Sequence, residues 1–137
     1  MISNETINVL RRWYSAHKIA EGNPQLLIEA NRKGADECRR VSDLCAERMR
    51  ECAKADEALH KLVELAADEV PPLVRLFFEA GKDKGCSRCW LSSAGPKHPE
   101  CKFKIGQWFG YREALMVYTY EVYIHHQVVN HEENSVS

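Results

Sequence analysis

With 137 residues, 45% of them apolar and 28% charged, the chain has room for one ordinary globular domain or two very small ones. No stretch is apolar over the roughly 20 residues that a bilayer span requires, and the N-terminal MISNETINVLRRWYSAHK lacks both the apolar core and the cleavage site of a signal peptide. A cytoplasmic protein with no membrane partner is therefore expected. The net charge of −1 is unevenly spread: residues 82–112 hold seven Lys/Arg against two acids, whereas residues 113–137 hold four acids and no Lys or Arg.

Ser3 is placed to cap a first helix in which Val9, Leu10, Trp13, His17 and Ala20 recur at helical spacing. Gly22 ends it, and Asn23-Pro24 supplies a new cap and a proline for the next first turn. The periodicity then predicts one long helix from about Pro24 to Ala67, with Cys38, Val41, Cys45, Met49, Cys52, Leu59 and Val63 along one face. Gly34 is its weak point, at about 1 kcal/mol relative to alanine. A helix of ~40 residues is about 60 Å long, so this one must fold against other helices or pair with a second chain, and a homo-oligomer is expected. Pro71-Pro72 ends the run, and Leu73 to Ala80 reads as a short helix stopped at Gly81.

Residues 82–110 change character, being rich in Gly, Pro, Lys, Cys and aromatics without a long period. They read as a loop segment that needs something other than a core to order it. Within it lie Cys86-Ser-Arg-Cys89 and, eight residues on, His98-Pro-Glu-Cys101. Each pair puts two ligands on one tight turn, and Gly95-Pro96 lets the pairs meet. Cys86, Cys89, His98 and Cys101 are therefore expected to hold a structural zinc ion, with four ligands leaving no position for a substrate. The competing readings are free thiols with an unrelated histidine, and a redox Cys-x2-Cys, which would call for a βαβ pattern absent here. His98-Pro-Glu100 also echoes the His-x-Glu of zinc deaminases, but in those enzymes it precedes a Pro-Cys-x-x-Cys, an order reversed here.

The last segment, 111–133, fits a helix through Tyr111, Leu115, Tyr118, Val122, His125 and Val129. A β-hairpin pairing 102–109 with 116–126 is the alternative, because the composition is β-prone. Residues 134–137 are expected to be a disordered tail. The whole is thus a mainly α protein of one domain: a helical region over 1–81, a zinc-binding loop over 82–110, and a C-terminal helix packing on the bundle.

Cys38, Cys45 and Cys52, spaced by sevens, lie about 10.5 Å apart along a helix. That is too far for disulfides, and they read as small apolar residues in a helix–helix seam. His17 and His60 have no evident partner. The acidic pairs Asp36-Glu37 and Asp56-Glu57 read as solvated charge.

For function, there is no phosphate-binding glycine loop, nucleophile elbow or zinc-hydrolase helix, so the chain is expected not to be an enzyme. A protein-interaction module is the favoured reading, an adaptor or inhibitor of a larger assembly, by analogy with phage-encoded anti-defence proteins. The alternative is nucleic-acid or nucleotide binding. Lys82, Lys84, Arg88, Lys97, Lys102, Lys104 and Arg112 lie among Trp90, Phe103, Trp108 and Phe109, which pairs cations for phosphate with faces for base stacking. Against it stands a sequence pI of about 6.6. Either partner would meet a surface containing Trp90, Trp108 and these cations.

Overall fold

The computed structural model describes residues 2–92 and 94–125, and all regular structure among them is helical. The mainly α class is as expected. The hairpin alternative is overturned, since no strand occurs among the described residues: the first proposed arm lies wholly within one helix, and the second runs from the end of that helix into a π-helical turn. The chain divides into two compact units, Met1–Leu65 and Ala66–Ser137, with the boundary ahead of Pro71-Pro72.

In the first unit, α1 (Asn4–Ala20) starts at Ser3, whose Oγ accepts the Thr6 backbone N–H at 3.3 Å. Its apolar stripe buries Leu10, Trp13 and His17. The expected ~40-residue helix does not exist. It is α2 (Asn23–Asn31) and α3 (Ala35–Leu65), separated at Gly34, whose φ of +109° lies in the left-handed region that reverses a chain.

Both α1 and α2 pack on α3. Their order is antiparallel to it, as the seven-spaced cysteines record: Cys38 Sγ meets Asn31 Oδ1 at 2.9 Å, Cys45 Sγ meets the Asn23 carbonyl at 3.9 Å, and Cys52 Sγ meets the Ala16 carbonyl at 3.3 Å. The cysteines do line a helix–helix seam, but α1 and α2 fill it from within the same chain. The 31-residue α3 therefore does not require a second chain along that face.

Three residues read as unpartnered or solvated are not so. His17 is buried, and its Nε2 lies 2.8 Å from Asp56 Oδ1, the same oxygen that accepts the Trp13 indole N–H at 2.7 Å. Asp56 is thus the polar anchor of the α1–α3 contact rather than solvated charge. His60 also has a partner, with Nδ1 3.7 Å from Glu64.

In the second unit, α4 (Pro72–Gly81) buries Val74 and Phe77 while Leu76 stays exposed. It packs on α6 (Pro99–Thr119), as does the short α5 (Ser87–Leu91). An aromatic cluster fills the junction, with Phe77 5.5 Å and Trp90 5.2 Å from Trp108 between ring centroids. The segment expected to be loop is largely helical, because Pro99 opens α6 instead of breaking the chain. That helix runs on through Tyr111 without a boundary at Gly110.

Leu115, Met116 and Thr119 form the buried face of α6, and a π-helical turn at Tyr120–Ile124 follows, burying Tyr123. Of the expected stripe, Leu115 is buried and Tyr111 half-buried, whereas Tyr118, Val122 and His125 are exposed and Val129 lies outside the described residues. His125 ends the described chain, so the readings placed on 126–133 and on the tail lie outside the described residues. Gly106 and Gly110 stand in mid-helix with nothing within 4 Å of where a Cβ would lie, each costing about 1 kcal/mol relative to alanine.

Candidate metal centre

The two ligand pairs are two helix starts facing one another. Cys86 is the N-cap of α5 and Cys89 its third residue; His98 is the N-cap of α6 and Cys101 its third residue. A side chain at the cap and one three residues on both reach the mouth of the helix, the relation a capping box exploits. This is why an x2 spacing on each side converges on one point.

Cys86 Sγ lies 3.8 Å from Cys101 Sγ, and His98 Nδ1 lies 3.6, 3.2 and 3.9 Å from the sulfurs of Cys86, Cys89 and Cys101. All four ligand atoms fall within 4.8 Å of one another, so the group could hold one metal ion. A tetrahedral ion with metal–sulfur distances of about 2.3 Å and metal–nitrogen of about 2.0–2.1 Å needs S···S edges near 3.8 Å and S···N edges near 3.6 Å. The Cys86–Cys101 edge meets the first value, and the three S···N edges scatter around the second. The donor set suits a soft or borderline divalent cation, and all six cysteines of the chain are free thiols.

Backbone groups support the same arrangement. The Cys86 N–H donates to Cys101 Sγ at 3.3 Å and the Lys97 N–H to Cys89 Sγ at 3.4 Å. Such donors orient metal ligands and offset their charge. The Cys89 thiol is brought down to about 6, first by the His98 backbone N–H and further by that of Lys97, against the effect of burial. Cys86 is also lowered, first by the Cys89 N–H. His98 is raised by its contacts with the Cys86 and Cys89 sulfurs. At Cys101 the Cys86 N–H pulls the thiol down, but burial and the sulfurs of Cys86 and Cys89 outweigh it, and the net shift is upward. Three thiolates cannot share so small a space without mutual repulsion, and a central cation removes that conflict.

Two flanking residues hold the approach. Asp83 Oδ1 accepts the Gly85 N–H at 3.0 Å, and its Oδ2 pairs with Lys104 at 2.6 Å, tying the strand of chain before Cys86 to α6. Lys104, then the Gly85 N–H, hold the Asp83 carboxyl below its usual range. Sequence reasoning overlooked Asp83, although Asp-x-Gly is a recognisable turn signal. Gly85 has φ +83°, and a Cβ there would lie 2.8 Å from Cys101 Cβ and Sγ.

Gly85→Ala should therefore weaken metal binding at least about tenfold by combining left-handed strain with overpacking, each about 1–3 kcal/mol. Competition against a chromophoric chelator measures this. Gly95→Ala is the control, with the same backbone sign (φ +94°) but open space around it. Equal affinities in the two variants would show that the Cys101 contact is not what matters.

The residues of the expected basic and aromatic surface have different surroundings. Lys82 pairs with Glu79 at 2.9 Å, Lys104 with Asp83, and Lys84 sits 4.0 Å over the Trp90 ring and 5.0 Å from Trp108. Trp90, Trp108 and Arg112 are half-buried. Lys102 is exposed on α6, and the exposed Arg88 and Lys97 line a cavity of about 430 Å³ together with Cys89, Leu91, Ser92 and His98. Compared with protein families, curated proteins and solved structures, the chain matches none, so its reading rests on this geometry.

Proposed function

We propose that the chain is a non-enzymatic, zinc-stapled helical module that binds another protein, acting as an adaptor or inhibitor of a larger assembly in the cytoplasm. Zinc is the ion that best suits three thiolates and one imidazole at tetrahedral spacing, and four protein ligands leave it no open position for substrate. Its role is then to order α5 and the start of α6, two elements too short or too glycine-rich to order themselves. The observation that carries the partner reading is Leu91, 78% exposed on the five-residue α5 directly behind the metal ligands. A rigidly held apolar side chain flanked by Arg88 and Lys97 is the pattern of an anchor for a protein surface with acidic groups around an apolar pocket.

Nucleic-acid binding is the second reading, favoured by the exposure of Arg88 and Lys97 and weakened by the engagement of Lys82, Lys84 and Lys104. Two measurements separate them. Affinity capture from a lysate of the source cell should retain one defined protein on the wild-type chain and lose it on Leu91→Asp, with metal content unchanged. Fluorescence anisotropy with labelled single- and double-stranded oligonucleotides should show no binding at low salt. Tight binding that weakens with salt and is lost on Lys97→Glu would replace the protein reading with the nucleic-acid one.

A further inference from the structure

The outward side of α6 is unlike that of a solvated helix. Phe103 is 70% and Val117 53% exposed, and Gly106, Gly110 and Ala114 are exposed between them. At about 100° per residue, Phe103, Gly106, Gly110, Ala114 and Val117 fall within one stripe roughly opposite the buried Cys101, Leu115 and Thr119. The two glycines are helical rather than left-handed, and among the described residues nothing outside their own helix lies within 4 Å of where a Cβ would sit. Among the described residues they serve no turn and meet no packed neighbour there. A helix apolar on its outer as well as its inner side is one that is covered.

The order of residues along the stripe says by what. Read outward from Gly110, it runs small, then large, in both directions: Gly106 and Phe103 towards the N-terminus, Ala114 and Val117 towards the C-terminus. Charge follows the opposite rule by one unit on each side: Glu100, Lys102 and Lys104, the last also paired with Asp83, sum to +1 in the first half, and Arg112, Glu113 and Glu121 sum to −1 at and beyond the second. A surface with symmetric shape and antisymmetric charge is complementary to itself when turned end for end, which is the requirement of a two-fold interface.

We infer that α6 is the self-association face of this protein: two copies pack through antiparallel α6 helices crossing at Gly110. Phe103 of each copy lies against Val117 of the other, and Gly106 against Ala114. The absent side chains at Gly106 and Gly110 let the backbones approach closely, and the basic start of each helix lies along the acidic end of its mate. This dimer is distinct from the seam along α3, which α1 and α2 already occupy.

The test is the solution mass of the full-length, metal-loaded chain by light scattering or sedimentation as a function of concentration. The wild type should move from 15.7 kDa towards twice that mass as concentration rises through about 1–300 µM. Gly110→Leu should remain monomeric, with its dissociation constant raised about a hundredfold or more. Leucine is a better helix former than glycine, so unchanged or increased helicity and unchanged metal content show that the loss is not unfolding. Lys102→Glu and Glu121→Lys should each weaken the dimer, and combining them in one chain should restore it. A wild type monomeric at every concentration overturns the proposal, as does a Gly110→Leu chain that still dimerises. Either result leaves the Leu91 surface standing, because capture of a protein partner through α5 is read in a separate assay.

Discussion

Cys101→Ser, purified as the full chain from zinc-replete medium, should contain no stoichiometric metal where the wild type carries one ion per chain. Cys101 is buried with its Sγ 3.8 Å from that of Cys86, and serine supplies an oxygen that stays protonated and is a poor partner for a borderline cation. Binding of structural zinc is worth about 10–16 kcal/mol in zinc-finger peptides at neutral pH, and that free energy is folding free energy for the segment it orders. The loss should therefore be structural as well as chemical. Backbone amides of α5 and of the first turns of α6 should exchange at nearly the rate of an open chain, because α5 has five residues and buries only Cys89. The later turns of α6, held by Leu115, Met116 and Thr119, should keep more of their protection. Metal analysis and hydrogen exchange by mass spectrometry read the two effects separately. Cys45→Ala is the matched control, since its thiol lies in the α2–α3 contact. Full metal occupancy in Cys101→Ser, or its loss in Cys45→Ala, would show that the six cysteines divide differently.

The ligand tetrad was legible because metal chemistry imposes a local spacing: two residues between ligands is what places a cap and the third residue of a helix on one ion. The first helix was legible for a similar reason, with Ser3 and the Leu10–Trp13–His17 stripe carrying the signal within a few turns. What stayed hidden depended on contacts distant in sequence or on residues with two meanings. Gly34 reads alike as a tolerated helix glycine and as a reversal, and the apolar period continues across it because α2 and α3 bury their stripes against each other. Pro99, Gly106 and Gly110 read as loop, yet one is a helix start and the others are exposed helical positions whose small size matters on the outside. Asp56 sits in a run of charge that looks solvated on both sides, and only its hydrogen bond to a residue 43 positions away distinguishes it.

That hydrogen bond leads to the second large effect, confined to the first unit. Trp13→Ala should destabilise it by about 3–5 kcal/mol, the range for deleting a large buried ring. Trp13 is fully buried, stacks at 4.5 Å on His17, and donates its indole N–H to Asp56 at 2.7 Å. Trp13→Phe separates the ring from the donor. It keeps most of the apolar area, and the Asp56 carboxylate, whose side chain is 39% exposed, can take water in place of the indole, so the cost should be only about 1 kcal/mol. Asp56→Ala should be worse than its half-exposed position suggests, because it deprives the donor of a fully buried ring of its acceptor and takes a partner from the buried His17 as well. Each buried polar group left unpaired costs about 1–3 kcal/mol. Urea denaturation of the full chain, with exchange protection of α1 and α3 as the local readout, gives these differences. Metal content should not change in any of the three variants. A Trp13→Ala cost no larger than that of truncating Leu65, which is 84% exposed, would mean that the α1–α3 contact is not where this unit's stability resides.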